Sequence, residues 1–405
     1  MKHILYLLDG FSPNAFKKIY SREYGDNKKT NFLDRLSNKS IFFENAYGFG
    51  TTYPTVYSMF NGSNIYENFC DAPNIVFSFK QKEDLAKLYK DKNFTNIYYR
   101  NCVPHYPTDG FYKRFNDSIT KNFDYKCVKK KDNSYNLKKF LIENQILDLP
   151  KNIDLFYKIH DMSLHDNKLI YNGNINSHFK AFKIAAHNVE ENLKSISYNS
   201  KEDTLFFLSD HGLSSSPYSK VHTLKTIEKR KYDEYYKKAL FIDEKIKFSF
   251  FIKSPNIKSS KNISKKIVAQ DVFSIIKTFN KKQTINIFLK NIKKFLKNKI
   301  IISLPNARVS TYGNFITNLI FHTHFLIIEK KFKIIFSYKH PNEYLIEKNG
   351  HFIKLNNKKI NKTFQNKIKN YFNIKNYLYR LSLIFFSYIF IIPKKIFNRL
   401  LNLTK

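Results

Sequence analysis

The sequence predicts an α/β fold, a mostly parallel central sheet flanked by helices, followed by a smaller C-terminal α+β subdomain. Three observations predict it. Apolar runs with little polar alternation, the pattern of strands buried on both faces, recur through residues 1–281. Stretches of helical spacing separate those runs, as crossovers between parallel strands require. From 282 to 372 the pattern changes to paired runs joined by short turn signals.

Taken in order, "ILYLL" (4–8), "NIYYR" (96–100), "DLFYKI" (154–159), "TLFFLS" (204–209) and "KFSFFIK" (247–253) read as strands. "TNFLDRLSNK", "KEDLAKLYKDK", "HFKAFKIAAHNVEENLKSI" and "AQDVFSIIKTF" carry the helical spacing between them. In the second segment, "FLIIEKKFKIIFSY" and "EYLIEKNGHFIKLN" read as antiparallel strands, with a turn at Asn349-Gly350. The expected organisation is a catalytic domain over 1–281, an α+β subdomain over 282–372 and a basic, apolar tail over 373–405. The tail, "YRLSLIFFSYIFIIPKKIFNRLL", is shorter than the ~18–20 apolar residues that span a bilayer. It reads as an interfacial helix making peripheral membrane contact, or as a terminal helix docked on the core or on a partner.

Composition narrows the function classes. A hydrophobic fraction of 42% with 17% aromatic residues excludes a mainly disordered chain. The net charge of +37 invites a nucleic-acid reading. The lysines, however, are spread along the whole chain, with no zinc-finger spacing and no RNA-binding aromatic signature, so no nucleic-acid partner is expected. Cys70, Cys102 and Cys127 are odd in number and lack ligand spacing, which suits a reducing compartment. "MKHILYLLDG" has too short an apolar run for a signal-peptide core. The expected location is cytoplasmic, with the tail allowing contact at the inner membrane face.

The chemistry gathers at a few places. Asp9 ends the first apolar run. "GTTYPTVYSMF" places Thr52 two residues before a proline, the arrangement of a helix start, where backbone amides can face an anion. "IHDMSLHDN" holds Asp161 and His165 just after a predicted strand, "FFLSDHG" holds Asp210 and His211 at a strand end, and His222 follows in "SKVHTLK". In a mostly parallel sheet the carboxyl ends of strands form the ligand crevice. Carboxylates and neutral imidazoles there suit Zn²⁺ or Mn²⁺, with Mg²⁺ or Ca²⁺ as alternatives, and six such residues are enough for two ions. A threonine hydroxyl beside a cation can become a nucleophile.

The order of these pieces resembles the alkaline phosphatase superfamily, in particular its sulfatase and nucleotide pyrophosphatase/phosphodiesterase branches. "TNFLDRLSNKSIFFENAYGFGTTYPTVYSMFNG" resembles the family's stretch that leads to the nucleophile, Pro-Ser and a Gly ending. "DLFYKIHDMSLHD" resembles its apolar strand ending in His. "HFKAFKIAAHNVEENLKSISYNSKEDTLFFLSDHG" resembles the long helix before its Asp-His-Gly, and "KFSFFIKSPNIKSSKNISKKIVAQDVFSIIKTF" its later strand and helix. The likeness runs from residue 4 to about 280.

The resemblance implies that Asp9, Asp210 and His211 hold a metal bound to Thr52. It implies further that Asp161, His165 and His222 hold a second metal, as in the two-metal phosphodiesterases. Aligned on the sulfatase strand instead, His165 would touch the substrate anion and Asp161 would have no set role. Sulfatases oxidise a cysteine or serine, and they carry paired acids where this chain has Asp9-Gly10. Thr52 and Val56, where sulfatases have that nucleophile and an arginine, therefore argue against sulfate esters. The expectation is a metal-dependent phosphoric ester hydrolase, a phosphodiesterase, passing through a phosphothreonine and taking an anionic phosphoester. The alternatives are a phosphotransferase with a glycan or lipid acceptor, a sulfuric ester hydrolase and a non-catalytic binding module. The stretch 101–153, without a family counterpart, is expected to line the pocket.

Overall fold

The computed structural model describes residues 1–11, 13, 32–48, 52–62, 83–101, 120–127, 136–164, 167, 169, 175–212, 246–304, 324–329, 332–337, 340–348 and 351–355. The tail over 373–405 and, within the stretch 101–153 expected to line the pocket, residues 102–119 and 128–135 lie outside them. The chain divides into two compact units. The first comprises Met1–Asn64, Gln81–Pro107 and Phe115–Ile302. The second comprises Ile65–Lys80, Thr108–Arg114 and Ser303–Lys405.

The first unit is built on an eight-stranded sheet of β1 (Lys2–Leu8), β2 (Ile41–Tyr47), β3 (Thr95–Asn101), β4 (Tyr125–Cys127), β5 (Leu155–Asp161), β6 (Thr204–Leu208), β7 (Phe250–Lys253) and β8 (Lys261–Val268). Its order is β4-β3-β5-β1-β6-β7-β2-β8. β3, β4, β5, β1 and β6 pair in parallel, as does β2 with β8, while β7 runs antiparallel to β6 and β2. The sheet is thus mostly parallel, as the strand–helix alternation predicts. β1 is central, and Ile4, Tyr6 and Leu8 on it are all but fully buried, because both faces of the sheet are covered.

The side-chain period of two divides the core into halves. Ile4, Tyr6 and Leu8 join one cluster with residues of the helices α1 (Phe32–Ser37), α4 (Leu137–Glu143) and α5 (Ile175–Ser195). The long α5 supplies Ala181, Phe182, Ala185, Ala186, Val189 and Leu193, one stripe at helical spacing. On the other face lie α2 (Thr52–Asn61), α3 (Leu85–Lys90) and α6 (Ala269–Thr278). There His3 meets Tyr89 of α3, which itself stacks on Phe156 at 4.0 Å. A further helix, α7 (Ile285–Ile292), packs Phe288 edge-on against Phe279 within this unit.

Helix ends follow capping chemistry. Asp84 and Asn136 accept from the amides of Lys87 and Lys139 at the starts of α3 and α4. Asp271 reaches back to the Val268 amide at the start of α6. α2 stops at Gly62, whose φ of +69° is left-handed and whose amide donates to the Ser58 carbonyl.

A second sheet has five strands: β9 (Lys299–Leu304), β10 (His324–Glu329), β11 (Phe332–Ser337), β12 (His340–Lys348) and β13 (His351–Leu355), in the order β13-β12-β11-β10-β9. β10 through β13 are antiparallel neighbours. The pairing Lys348↔His351 leaves positions 349 and 350 as their connection, where the Asn-Gly signal lies.

Candidate metal centre and nucleophile

Three strand ends meet at the carboxyl edge of the first sheet. Asp9 follows β1, Asp210 follows β6, and β5 ends at Asp161. The register Leu7↔Leu208 puts Asp9 and Asp210 on the same face, the one that α2 covers. α2 begins at Thr52, so its first hydroxyl lies over that edge. The approach is tight. A Cβ on Gly48 would stand 2.8 Å from the Asp210 carbonyl oxygen and 2.8 Å from Cγ2 of Thr55. Glycine there lets the first turn of α2 close down on Asp210.

Asp9, Asp210 and His211 are buried, and one ligand atom from each lies within 4.8 Å of the others. Thr52 Oγ1 is 3.1 Å from His211 Nε2 and 3.4 Å from Asp9 Oδ2. His211 Nδ1 is 2.7 Å from the Gly212 carbonyl. A carbonyl only accepts, so Nδ1 carries the proton, and in the neutral ring Nε2 presents its lone pair to the site. Asp210 Oδ1 accepts the Gly10 amide at 3.0 Å, which ties the end of β1 to that of β6.

The remaining carboxylate oxygens carry the strongest signal. Asp9 Oδ1 and Asp210 Oδ2 are buried without a hydrogen-bond partner. Asp210 Oδ2 lies 3.1 Å from His211 Nε2, close enough for an ion pair, but the geometry makes no hydrogen bond. Two buried carboxylates with open oxygens, facing an imidazole lone pair and a hydroxyl, are costly on their own. A divalent cation between them removes that cost, so the residues present fit a metal.

Among the expected ligands, Asp161 stands apart from this group. β5 continues two residues beyond the predicted 154–159, and within a strand neighbours point to opposite faces. Asp161 therefore faces α5, where its oxygens accept from Tyr6, Asn101, Ser163 and Asn192. His160 takes the site face instead, with Nε2 3.1 Å from Asp9 Oδ2. The sequence reading passed over His160, although extending the strand by one residue would have assigned its face. His165 and His222 lie outside the described residues.

On the same face, Arg100 pairs across β3 and β5 with His160, and Tyr98 pairs with Lys158. Lys158 Nζ sits 4.1 Å from the Phe60 ring centroid and 4.8 Å from that of Tyr98, without a hydrogen-bond partner. Burial pushes its pKa down to about 7, opposed by Asp84 and assisted by Arg100.

This sheet order, with acids at the tips of its central parallel strands, is the architecture of the sulfatase/alkaline phosphatase-like superfamily, as solved structures bear out. A putative sulfatase from Bacteroides thetaiotaomicron has a TM-score of 0.58 at 11% identity, covering 95% of this chain and 94% of that one. A phosphonate monoester hydrolase of Agrobacterium radiobacter has a TM-score of 0.56 at 9% identity, covering 85% and 88%. A lipoteichoic acid synthase from Listeria monocytogenes has a TM-score of 0.50 at 13% identity, covering 95% and 91%. Within that superfamily the chain belongs to the sulfatase family, whose model matches residues 4–277. No curated protein matches the sequence. Among the described residues, no helix is long and apolar enough to cross a membrane.

Proposed function

We propose that the chain is a metal-dependent phosphoric ester hydrolase acting on anionic phosphodiesters, with Thr52 as nucleophile. The observation that carries this reading is the Thr52 hydroxyl at 3.1 Å from His211 Nε2, beside two buried carboxylates with open oxygens. Asp9, Asp210, His211 and the Thr52 hydroxyl would hold a divalent ion, Zn²⁺ or Mn²⁺ being the best match to the donor set. When bound, that ion supplies Lewis acidity and neutralises charge on the ester. Thr52 Oγ1 attacks phosphorus in line, the bond to the leaving alcohol breaks, and water then releases the phosphoryl group from threonine. Asp9 receives a hydrogen bond from His160 Nε2, which fixes the carboxylate beside the nucleophile. A second ion, expected on Asp161, His165 and His222, belongs to the same proposal, but Asp161, its carboxylate filled by four donors on the α5 face, does not support its share in it.

Thr52 also speaks against sulfate esters. Oxidising a threonine at Cβ gives a ketone, not the aldehyde hydrate that sulfatases use. The transferase reading shares the same phosphothreonine and differs in the acceptor. It draws support from the lipoteichoic acid synthase among the structural neighbours. A cytoplasmic location, resting on the cysteine content, and membrane contact through the tail belong to the same proposal.

Nitrophenyl phosphate monoester, phosphate diester and sulfate, tested with metal-stripped and reloaded protein, discriminate these readings. Metal-dependent diester turnover is expected, and Thr52→Ala is expected to lower it by roughly 10³-fold or more. Sulfate turnover, or diester turnover that survives Thr52→Ala, would overturn the proposal.

A further inference from the structure

Asp161 is fully buried on the face of β5 away from Asp9, and it is held more thoroughly than either acid of the metal group. Its Oδ1 accepts from Asn101 Nδ2 at 3.0 Å and from the Ser163 amide at 2.9 Å. Its Oδ2 accepts from the Tyr6 hydroxyl at 2.6 Å and from Asn192 Nδ2 at 3.4 Å. Those donors belong to β3, the turn after β5, β1 and α5. Burial and the Asp161 charge push the Tyr6 pKa well above the ordinary phenol value, so Tyr6 remains a donor. Asn101 grips both sides of the strand end, since its Oδ1 accepts the Met162 amide at 2.7 Å.

What this tie holds in place is Asp9. The Asp161 carbonyl accepts the Asp9 amide at 2.8 Å, and the preceding residue, His160, bonds the Asp9 carboxylate at 3.1 Å. Two consecutive residues of β5 thus fix both the backbone and the side chain of a candidate ligand. A rotation of the β5 tip would move both bonds together. We propose that Asp161 is the positioning residue of the metal centre: its buried carboxylate locks the tip of β5, and through Asp9 sets the metal affinity of the Asp9–Asp210–His211 group. The inference rests on reading that group as a metal site. It assigns Asp161 a role distinct from ligation.

The test compares wild type, Asp161→Asn and Tyr6→Phe by calorimetric titration with Zn²⁺ and Mn²⁺. It is paired with imidazole ¹⁵N NMR of the metal-free proteins, the His160 signal being assigned by its loss in His160→Gln. Asparagine keeps the shape of Asp161 but cannot accept with both of its terminal atoms. Tyr6→Phe removes a single donor and keeps the ring stacked on Phe207 at 5.9 Å, so the fold should persist. Expected are unchanged metal stoichiometry, affinity weaker by about 10–100-fold in Asp161→Asn and by a smaller factor in Tyr6→Phe, and a displaced His160 signal in both. Loss of a whole metal equivalent in Asp161→Asn would make Asp161 a ligand and overturn the proposal. So would wild-type affinity together with an unmoved His160 signal. If wild type takes up no metal, the metal reading fails separately, and the His160 signal decides the positioning role: displaced supports it, unmoved overturns it.

Discussion

β6 has an aspartate at each end, and the two are used in opposite ways. Asp203, just before the strand, accepts the Lys2 amide through Oδ1 and the Asn199 amide through Oδ2, each at 2.9 Å, with Lys2 Nζ a further 3.8 Å contact. Asp210, just after it, accepts the Gly10 amide and leaves Oδ2 without a donor. Both are buried, so burial does not separate a structural acid from a functional one. Unfilled acceptor capacity does, because a fold tolerates a buried open oxygen only when something else compensates for it. β5 repeats the lesson at a single tip, where Asp161 is filled and its neighbour reaches Asp9.

The comparison is broken most directly by isosteric amides. Asp210→Asn should abolish tight metal binding and lower turnover by roughly 10³-fold, while raising the melting temperature of the metal-free protein by relieving charge crowding. Asp203→Asn should do the reverse: metal binding and turnover stay near wild type, and stability falls by about 1–3 kcal/mol. Calorimetry of the two metal-free variants decides it, and equal melting shifts of the same sign would sink the distinction. A smaller effect is expected at Gly48. Gly48→Ala crowds Thr55 and the Asp210 carbonyl, displacing the start of α2, so turnover should drop by about 10²-fold with metal affinity changed much less. Steady-state kinetics beside a metal titration would show the split.

A separate test lies in the pH dependence of stability. Burial, reinforced by Lys281 and Lys92, lowers the His3 pKa to about 4 from 6.5. Between those values the unfolded chain binds a proton that the fold refuses, so the stability His3 contributes is whole above 6.5 and is lost as pH falls toward 4. Lys158, lowered to about 7 from 10.5, acts the same way in a higher window, with stability rising as pH climbs between those values. Denaturant midpoints measured across pH should rise through both windows. Lys158→Met should remove the upper rise, and its persistence in that variant would assign the rise to other groups.

Much of this was legible from residue patterns. Asp9 and Asp210 were singled out by apolar runs that end in an acid, and the helix start at Thr52 by the proline two residues on, while the role of Thr52 came only with the family resemblance. The central strands were readable because burial on both faces makes them continuously apolar. β8 was not: its "KNISKKIV" reads as polar, since this edge strand exposes Lys261, Asn262, Ser264 and Lys265 and needs few apolar residues. β4, at three residues, is too short to carry a period. His160 escaped for a different reason. A strand end misplaced by two residues leaves the facing of the last side chains undetermined, and Asp161 then takes the role that its position alone suggests. The second face of the site could be read only from the register Leu7↔His160.

That register also shapes how the chain is made. β1 lies at the middle of its sheet, yet its partners begin at Leu155 and Thr204. On a ribosome adding roughly 5–20 residues per second, "KHILYLL" waits on the order of ten seconds before either neighbour exists. Throughout that interval this apolar ribbon has two open edges. A holding chaperone that grips this segment as it emerges would protect the strand on which the centre is later assembled.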